Sequence, residues 1–509
     1  MNPTPAPNTP ARHVAVIGGG VTGLAAAYRL RECSPQTQVT LFERSDRLGG
    51  AILTCRRDGF LIDRGPDNFI TQLPYATDLC RRLGLADDLL PTDAGHRKAF
   101  VVRKGRLLEI PEGFVLMAPS RVWPVLATPI LSFRAKLRLA CEPLIPRRRD
   151  ESDESFADFV SRRLGRETYD RLVQPLISSI YTADATTLSV EATMPQFAAM
   201  ERKHGSLVFG ARKMAAARKA AAASQAPQSG DGAAARQASG ARYSMFVAPR
   251  DGMGMVVEEL AGRIGRENIR TGTPVTRLRK SSGGWLLTLV AGGEEDTQRF
   301  DAVILACPAF AAADLLRDTD ADLADRLGAI EYASSAVVSL AYRREDIAHP
   351  LDGFGFVVPI TEGRNILAGS FSSVKYPGRA PGGQTLLRVF VGGALQGHLL
   401  DRDDDALIEL TRGELSELLG VSGEPTLAEI TRWNRSMPQY HVGHLDRVAE
   451  IEKRVAALPG LALAGAGYRG VGVPQCVRSA QQAAETILAA APRRGDDGTN
   501  PRGAENAAR

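Results

Sequence analysis

At 509 residues the chain is too long for one simple core, so two or more lobes are expected. Hydrophobic residues make up 44% and charged residues 24%, ordinary for a globular protein with a large core. The formal charge of +5 is small for this length, which argues against a nucleic-acid partner and fits an anionic small molecule.

Residues 1–11 are rich in Pro, Asn and Thr, lack an apolar signal region and are expected to be disordered. A strand over Arg12–Gly18, a helix over Val21–Cys33 and a strand over Gln38–Glu43 follow. Further strand-like runs are Ala99–Val102, Trp285–Val290, Ala302–Ala306, Ala336–Tyr342, Gly355–Ile360, Leu386–Val391 and Leu461–Ala464. Helix-like runs are Ala135–Leu144, Ser155–Arg163, Glu167–Ile177, Met255–Ile264, Asp403–Leu419 and Pro474–Ala490. The apolar stretch within 113–145 reads most simply as an inner wall of a substrate lobe, and otherwise as a membrane-docking surface. Residues 212–242, rich in Ala, Ser, Gly and Gln, are expected to form a solvated loop with a helical start. No run of about 18 apolar residues occurs. Six cysteines at irregular spacing, with no C-x-x-C pair, point away from a disulfide framework or zinc site and toward a reducing compartment.

The mixture of strands and helices predicts an α/β chain with a discontinuous nucleotide lobe. Its pieces are expected at 12–95, 244–312 and 431–491. A substrate lobe of α+β type would be inserted at 96–243 and 313–430, and 492–509 would be a disordered tail.

The stretch VAVIGGGVTGLAAAYRL carries Gly18, Gly20 and Gly23 in G-x-G-x-x-G spacing between a strand and a helix. Gly18 permits the tight turn, Gly20 lets backbone approach a pyrophosphate, and Gly23 lets the helix pack closely on the sheet. The helix N-terminus offers N–H groups and a positive dipole end to phosphates. Glu43, twenty residues after Gly23, ends the next strand, where a carboxylate accepts from a ribose diol and repels a 2′-phosphate. After it comes RSDRLGG, with Arg47, Gly49 and Gly50. Here the sequence resembles the FAD-dependent amine oxidase and porphyrinogen oxidase superfamily, in which a second glycine turn follows the ribose acid. That resemblance implies FAD rather than NAD, a Rossmann-type lobe, and an Arg47 that neutralises pyrophosphate.

Phe300–Pro308 is an apolar strand suited to the floor under the adenosine half. Val275, in GTPVTRL, is a candidate backbone contact to adenine or part of a plain turn and strand. Near the C-terminus a strand, a glycine-rich turn (Gly465, Gly467, Gly470, Gly472) and a helix follow one another. Pro474 suits the first helical turn. The positive end of that helix would stabilise negative charge on a reduced flavin.

RGPDNF (Arg64–Phe69), Val173–Val190, ERKHGSL (Glu201–Leu207), Thr431–His444 and GYRGVGVP together resemble the bacterial porphyrinogen oxidases acting on coproporphyrinogen III or protoporphyrinogen IX. The resemblance spans about 12–490. It implies removal of six electrons from a porphyrinogen in three hydride transfers to FAD, with dioxygen as oxidant and hydrogen peroxide as by-product. No catalytic acid–base pair is required, since the cofactor carries the chemistry. The family's contacts map onto Gly19, Gly20, Val21, Thr22, Gly23 and Leu24 around the pyrophosphate. Glu43 and Arg44 flank the ribose. Gly65, Pro66, Asp67 and Asn68 lie near the flavin. Trp433, Gly470, Val471, Gly472 and Val473 approach the ring from the C-terminal side.

Asn68, Phe69, Lys203, His204, Tyr440 and His441 are candidate substrate-pocket residues. The plainer readings are a solvated helix end for Lys203 and His204 and packing for Tyr440 and His441. The basic residue that anchors a propionate just past the Gly65 loop in some family members is absent, because Ile70, Thr71 and Gln72 stand there. Coproporphyrinogen III is the leading substrate. Protoporphyrinogen IX oxidase and flavin amine oxidase are the rival enzymes, the latter needing an aromatic cage around Trp433; a non-catalytic FAD-binding module is the rival of another class. The resemblance also implies a cytoplasmic enzyme with at most peripheral membrane contact, handing product to a ferrochelatase.

Overall fold

The computed structural model describes residues 12–96, 98–111, 114–115, 118–119, 122–150, 152–224 and 246–490. In chain order, the elements that position the site are β1 (His13–Ile17), α1 (Val21–Cys33), β2 (Gln38–Phe42), β3 (Lys98–Arg103), β4 (Arg106–Glu109), α2 (Pro195–His204), α3 (Leu207–Ser224), β5 (Ile269–Arg270), β6 (Ala302–Leu305), β7 (Tyr332–Arg343), β8 (Gly353–Val357), β9 (Ala368–Phe371), β10 (Gln384–Gly392), β11 (Leu427–Pro438), β12 (Leu461–Leu463) and α4 (Val473–Ala489).

One sheet is parallel throughout, in the order β5-β2-β1-β6-β12. Its central strands are continuous apolar runs because both faces are covered. The two-residue period of β1 sorts its side chains between two cores. Val14 and Val16 pack with Leu24, Ala25, Ala27 and Ala480 from α1 and α4. Ala15 and Ile17 pack with Leu278, Trp285 and Leu287, which come from an antiparallel three-stranded sheet of Val275–Ser281, Gly284–Ala291 and Glu294–Phe300.

A second sheet has the order β11-β7-β10-β9-β8-β3-β4 and is antiparallel except where β8 meets β3. Val338, Leu340, Phe371, Val389 and Val391 fill its own core. A helical body over 122–224 builds another, around Phe156, Phe159, Leu172 and Ile177.

Several expectations need correction. The helix expected over Glu167–Ile177 is split: a π turn at Tyr169–Val173 separates Arg166–Thr168 from Gln174–Tyr181. Pro175 has no N–H to donate one turn back, and the helix widens just before it. The helical start expected for the 212–242 loop is present as the end of the continuous helix α3, alanine being the strongest helix former. The remainder of that loop lies outside the described residues, as do 1–11 and 491–509. The lobe boundary at 312 falls inside the helix Ala309–Leu316. The boundary at 430 falls inside β11, so Trp433 belongs to the second sheet. Within 113–145, Val125, Ile130, Leu131, Ala135 and Leu139 are buried in the helical body, while Phe133, Leu137 and Leu144 stand in solvent. Among the described residues no helix is long and apolar enough to cross a membrane.

The start of α3 rests on a carboxylate that sequence reading did not single out. Glu142 is fully buried and pairs with the fully buried Arg163. It also accepts from Ser206 Oγ at 2.5 Å and from the amides of Leu207 and Val208 at 2.9 and 3.3 Å. Removing one member of a buried pair strands the other's charge. Glu142→Ala should therefore cost about 3–5 kcal/mol, read as a lowered urea midpoint at unchanged slope.

Candidate functional site

β1 stops at Ile17 and the chain turns at Gly18, whose φ of +111° favours glycine. A Cβ on Gly18 would stand 2.7 Å from the Ala306 carbonyl oxygen. A Cβ on Gly23 would stand 1.9 Å from the Gly18 oxygen, so α1 can reach the sheet only without a side chain there. Gly20 differs: Gly50 Cα at 3.9 Å is the nearest atom its Cβ would meet. A substitution at Gly20 would fill open space and leave the packing intact.

The second glycine turn faces the first. Gly49 N donates to Gly19 O at 2.8 Å, and Gly20 bridges to Gly49. Arg47 donates to the carbonyls of Gly50 at 2.8 Å and Leu48 at 3.2 Å, fixing its own turn, and its guanidinium lies 5.9 Å from the Trp433 ring centre. Glu43 follows β2 beside these turns, accepting from Gly19 N at 2.6 Å and from Ser45 N and Oγ at 2.9 and 2.8 Å. Thr273 N binds the Glu43 carbonyl at 2.9 Å, which brings Val275 to this corner; Arg44 is exposed.

The C-terminal turn arrives at the same edge. β12 and β1 both run parallel within the sheet, so α4 and α1 begin on the same side, outside the strands' carboxyl ends. Gly20 caps α1 and Gly472 caps α4, and neither contributes a side-chain bond. Val21, Thr22 and Leu24 form the first turn of α1; Val473 opens α4, after Gly470 and Val471. Two positive helix ends thus open on the same edge of the sheet.

Loop 65–68 forms the opposite wall. Gly65 lies against Ala51 and Trp433, and the Trp433 Nε1–H donates to the Arg64 carbonyl at 2.9 Å. Arg388 donates to the Gly65 carbonyl. Pro66 and Asn68 are half-buried, and Asn68 donates to Asp67 Oδ1 at 2.9 Å. Burial alone would raise the Asp67 pKa, but Lys375 and Arg388 outweigh it and bring it down to about 2. Neither cation has a local sequence signature; each lies some 300 residues from Asp67.

Two pocket expectations give way to packing. Phe69 is buried in the core under α1 and pairs with Val247 in a short sheet. Tyr440 is 1% exposed, and its hydroxyl donates to Ala466 O and accepts from Gly470 N at 2.8 Å. It buttresses the C-terminal turn. His441, partly exposed, lies 3.9 Å from Glu331. Lys203 and His204 end α2, which packs on α3 and the short helix Val190–Thr193.

A neighbour of Tyr440 was missed. His444 is fully buried, stacks on the Tyr440 ring at 4.0 Å, and its Nε2–H donates to the Tyr468 carbonyl at 2.8 Å. Its Nδ1 has no partner among the described residues.

The family described as flavin containing amine oxidoreductase matches residues 21–488. The chain belongs to this family. It is 34% identical to the coproporphyrinogen III oxidase of Bacillus subtilis (strain 168), over 94% of this chain and 98% of that one. It is 35% identical to the coproporphyrinogen III oxidase of Propionibacterium freudenreichii subsp. freudenreichii, over 96% and 93%. A solved structure from Exiguobacterium sp. 255-15 superposes with a TM-score of 0.79 at 31% identity, covering 94% of this chain and 99% of that one. The fold is that of the amine oxidase-like flavoproteins. The site fits a dinucleotide: the uncapped α1 end and the open space at Gly20 suit a diphosphate, Glu43 suits a ribose, and the uncapped α4 end suits the ring system.

Gly20→Val should give a folded but colourless protein that takes up no added FAD, whereas Gly23→Ala should fail to fold well. Thermal unfolding and the visible flavin spectrum separate the two, and a yellow Gly20→Val protein would refute the cradle.

Burial pushes the His444 pKa down to about 4. Below the ordinary value near 6.5 the unfolded chain gains a proton that the folded chain refuses, so stability falls between about pH 6.5 and 4. The loss should reach about 3 kcal/mol. His444→Gln should flatten that part of a stability–pH curve followed by urea unfolding; an equal slope in both proteins would contradict the assignment.

Proposed function

We propose that the chain oxidises coproporphyrinogen III to coproporphyrin III, with FAD as cofactor and dioxygen as terminal oxidant. The carrying observation is the end-to-end likeness to two coproporphyrinogen III oxidases, combined with the open glycine cradle at Gly20. FAD, when bound, supplies the hydride acceptor for three two-electron oxidations, with three molecules of dioxygen leaving as three of hydrogen peroxide.

The chain's own residues bind and shield. Gly18–Leu24 and the Gly49–Gly50 turn hold the diphosphate, Arg47 fixes the second turn, and Glu43 receives the ribose, with Arg44 at its rim. Val275 backs the adenine side. Gly65–Asn68, Trp433 and the Gly470–Val473 turn enclose the ring system and exclude water. The nucleotide and substrate lobes correspond to the two large sheets, with the boundaries moved to the ends of the helix Ala309–Leu316 and of β11. His441 stays a candidate for the outer pocket, and Lys203 and His204 for its distal edge. All six cysteines are free, which accords with a cytoplasmic setting. A ferrochelatase would consume the product.

The test is aerobic turnover by the purified protein, followed by porphyrin fluorescence with coproporphyrinogen III and protoporphyrinogen IX in parallel. The expected result is a higher kcat/KM for coproporphyrinogen III, with three peroxides per porphyrin. A yellow protein that turns over neither would end this reading and leave the fold standing.

A further inference from the structure

Behind loop 65–68 cations outnumber carboxylates. Lys375 Nζ lies 2.8 Å and Arg388 Nη1 3.1 Å from Asp67 Oδ2. Arg379 Nη2 lies 3.9 Å from Asp63 Oδ2. Asp63 is otherwise held by Thr54 Oγ1 at 2.5 Å and Met253 N at 2.9 Å. The next carboxylate, Glu429, is taken by Arg64 at 2.6 Å and Arg57 at 3.2 Å. Behind the loop three cations, Lys375, Arg379 and Arg388, therefore face two carboxylates, Asp67 and Asp63, and Arg379 and Arg388 are each only 2% exposed. A buried surplus of positive charge is costly unless an anion meets it.

Lys375 is placed to meet one. Its side chain is 13% exposed, and that of its partner Asp67 15%, so solvent reaches this corner of the cluster. An ammonium has three donors. Asp67 and Ser370 Oγ, at 3.3 Å, are its hydrogen-bond partners among the described residues. Lys375 follows β9 in the second sheet and meets the very loop after which Ile70, Thr71 and Gln72 offer no cation. Asp67 and Arg388 hold it in place, and Arg388 also ties the cluster to the Gly65 carbonyl.

We propose that Lys375 anchors a carboxylate of the substrate beside the Gly65–Asn68 loop and so determines specificity for carboxylate-bearing tetrapyrroles. This rests on the porphyrinogen oxidase reading.

The test uses the full-length, flavin-loaded protein and its Lys375→Met and Lys375→Arg variants, with flavin content checked first. Binding of coproporphyrin III and of its uncharged tetramethyl ester is measured by fluorescence quenching, alongside KM and kcat for coproporphyrinogen III. In Lys375→Met, Kd and KM for the tetra-acid should rise about ten- to a hundred-fold, the equivalent of one charge-assisted hydrogen bond. The ester's Kd and kcat should stay within about three-fold, and Lys375→Arg should recover most of the loss. Unchanged tetra-acid binding in Lys375→Met would overturn the anchor. So would a fall in kcat with a shifted flavin potential and unchanged Kd, which would assign the cluster to the cofactor. Wild-type turnover with a normal Lys375→Met defeats the anchor alone; absence of wild-type turnover defeats the functional reading and the anchor with it.

Discussion

Everything near the site follows from the contact between Gly23 and the Gly18 carbonyl. With 1.9 Å between that oxygen and a would-be Cβ, α1 lies as close to β1 as a backbone can. The closeness sets where the first turn of α1 points. The alanines at 25–27 and at 480, 483 and 484 let α4 lie in the same core, so its N-terminus opens on the same edge. Both helices give up a capping side chain. A glycine cap sacrifices only a few tenths of a kcal/mol against serine, so leaving two positive ends free costs the fold little.

The second sheet closes the cleft through directional bonds rather than apolar contact alone. Trp433 grips the Arg64 carbonyl, Arg388 the Gly65 carbonyl and Glu429 the Arg64 guanidinium. From the helical side Tyr440 holds both Ala466 and Gly470. Trp433, Arg388 and Glu429, all on the second sheet, hold the loop at Arg64–Gly65, and Tyr440 holds the C-terminal turn. Buried charge pairs are poor sources of stability, but they tolerate few alternative geometries. A cleft that must hold a flat ring system against a loop gains from that intolerance.

The β1–α1–β2 unit was legible almost to the residue because its rules are local: apolar runs, glycines at fixed offsets and an acid at the end of the second strand. The same locality explains the failures. The motif around Phe69 makes it a pocket candidate; its pairing with Val247, far along the chain, places it in the core. The sequence does not reveal that Trp433 lies in the second sheet, because its twelve-residue strand, Leu427–Pro438, carries a half-buried polar pattern rather than an apolar run. Lys375, Arg388, Glu142 and His444 leave no periodic trace. A buried cation is recognisable only once its distant carboxylate is in place.

The modest formal charge of +5 now has a physical reading. Surface ion pairs neutralise most of the chain, as in Arg29 with Glu32 and Glu485, or Arg454 with Asp320 and Asp322. Such exposed pairs are screened and contribute little. Behind Gly65, by contrast, Lys375, Arg379 and Arg388 face two carboxylates in a largely buried setting, where low dielectric strengthens each interaction. On the proposed reading, selection of an anionic ligand is a matter of placement: the helix end at Gly20 faces the diphosphate, the helix end at Gly472 faces the ring system, and Lys375 would meet a carboxylate.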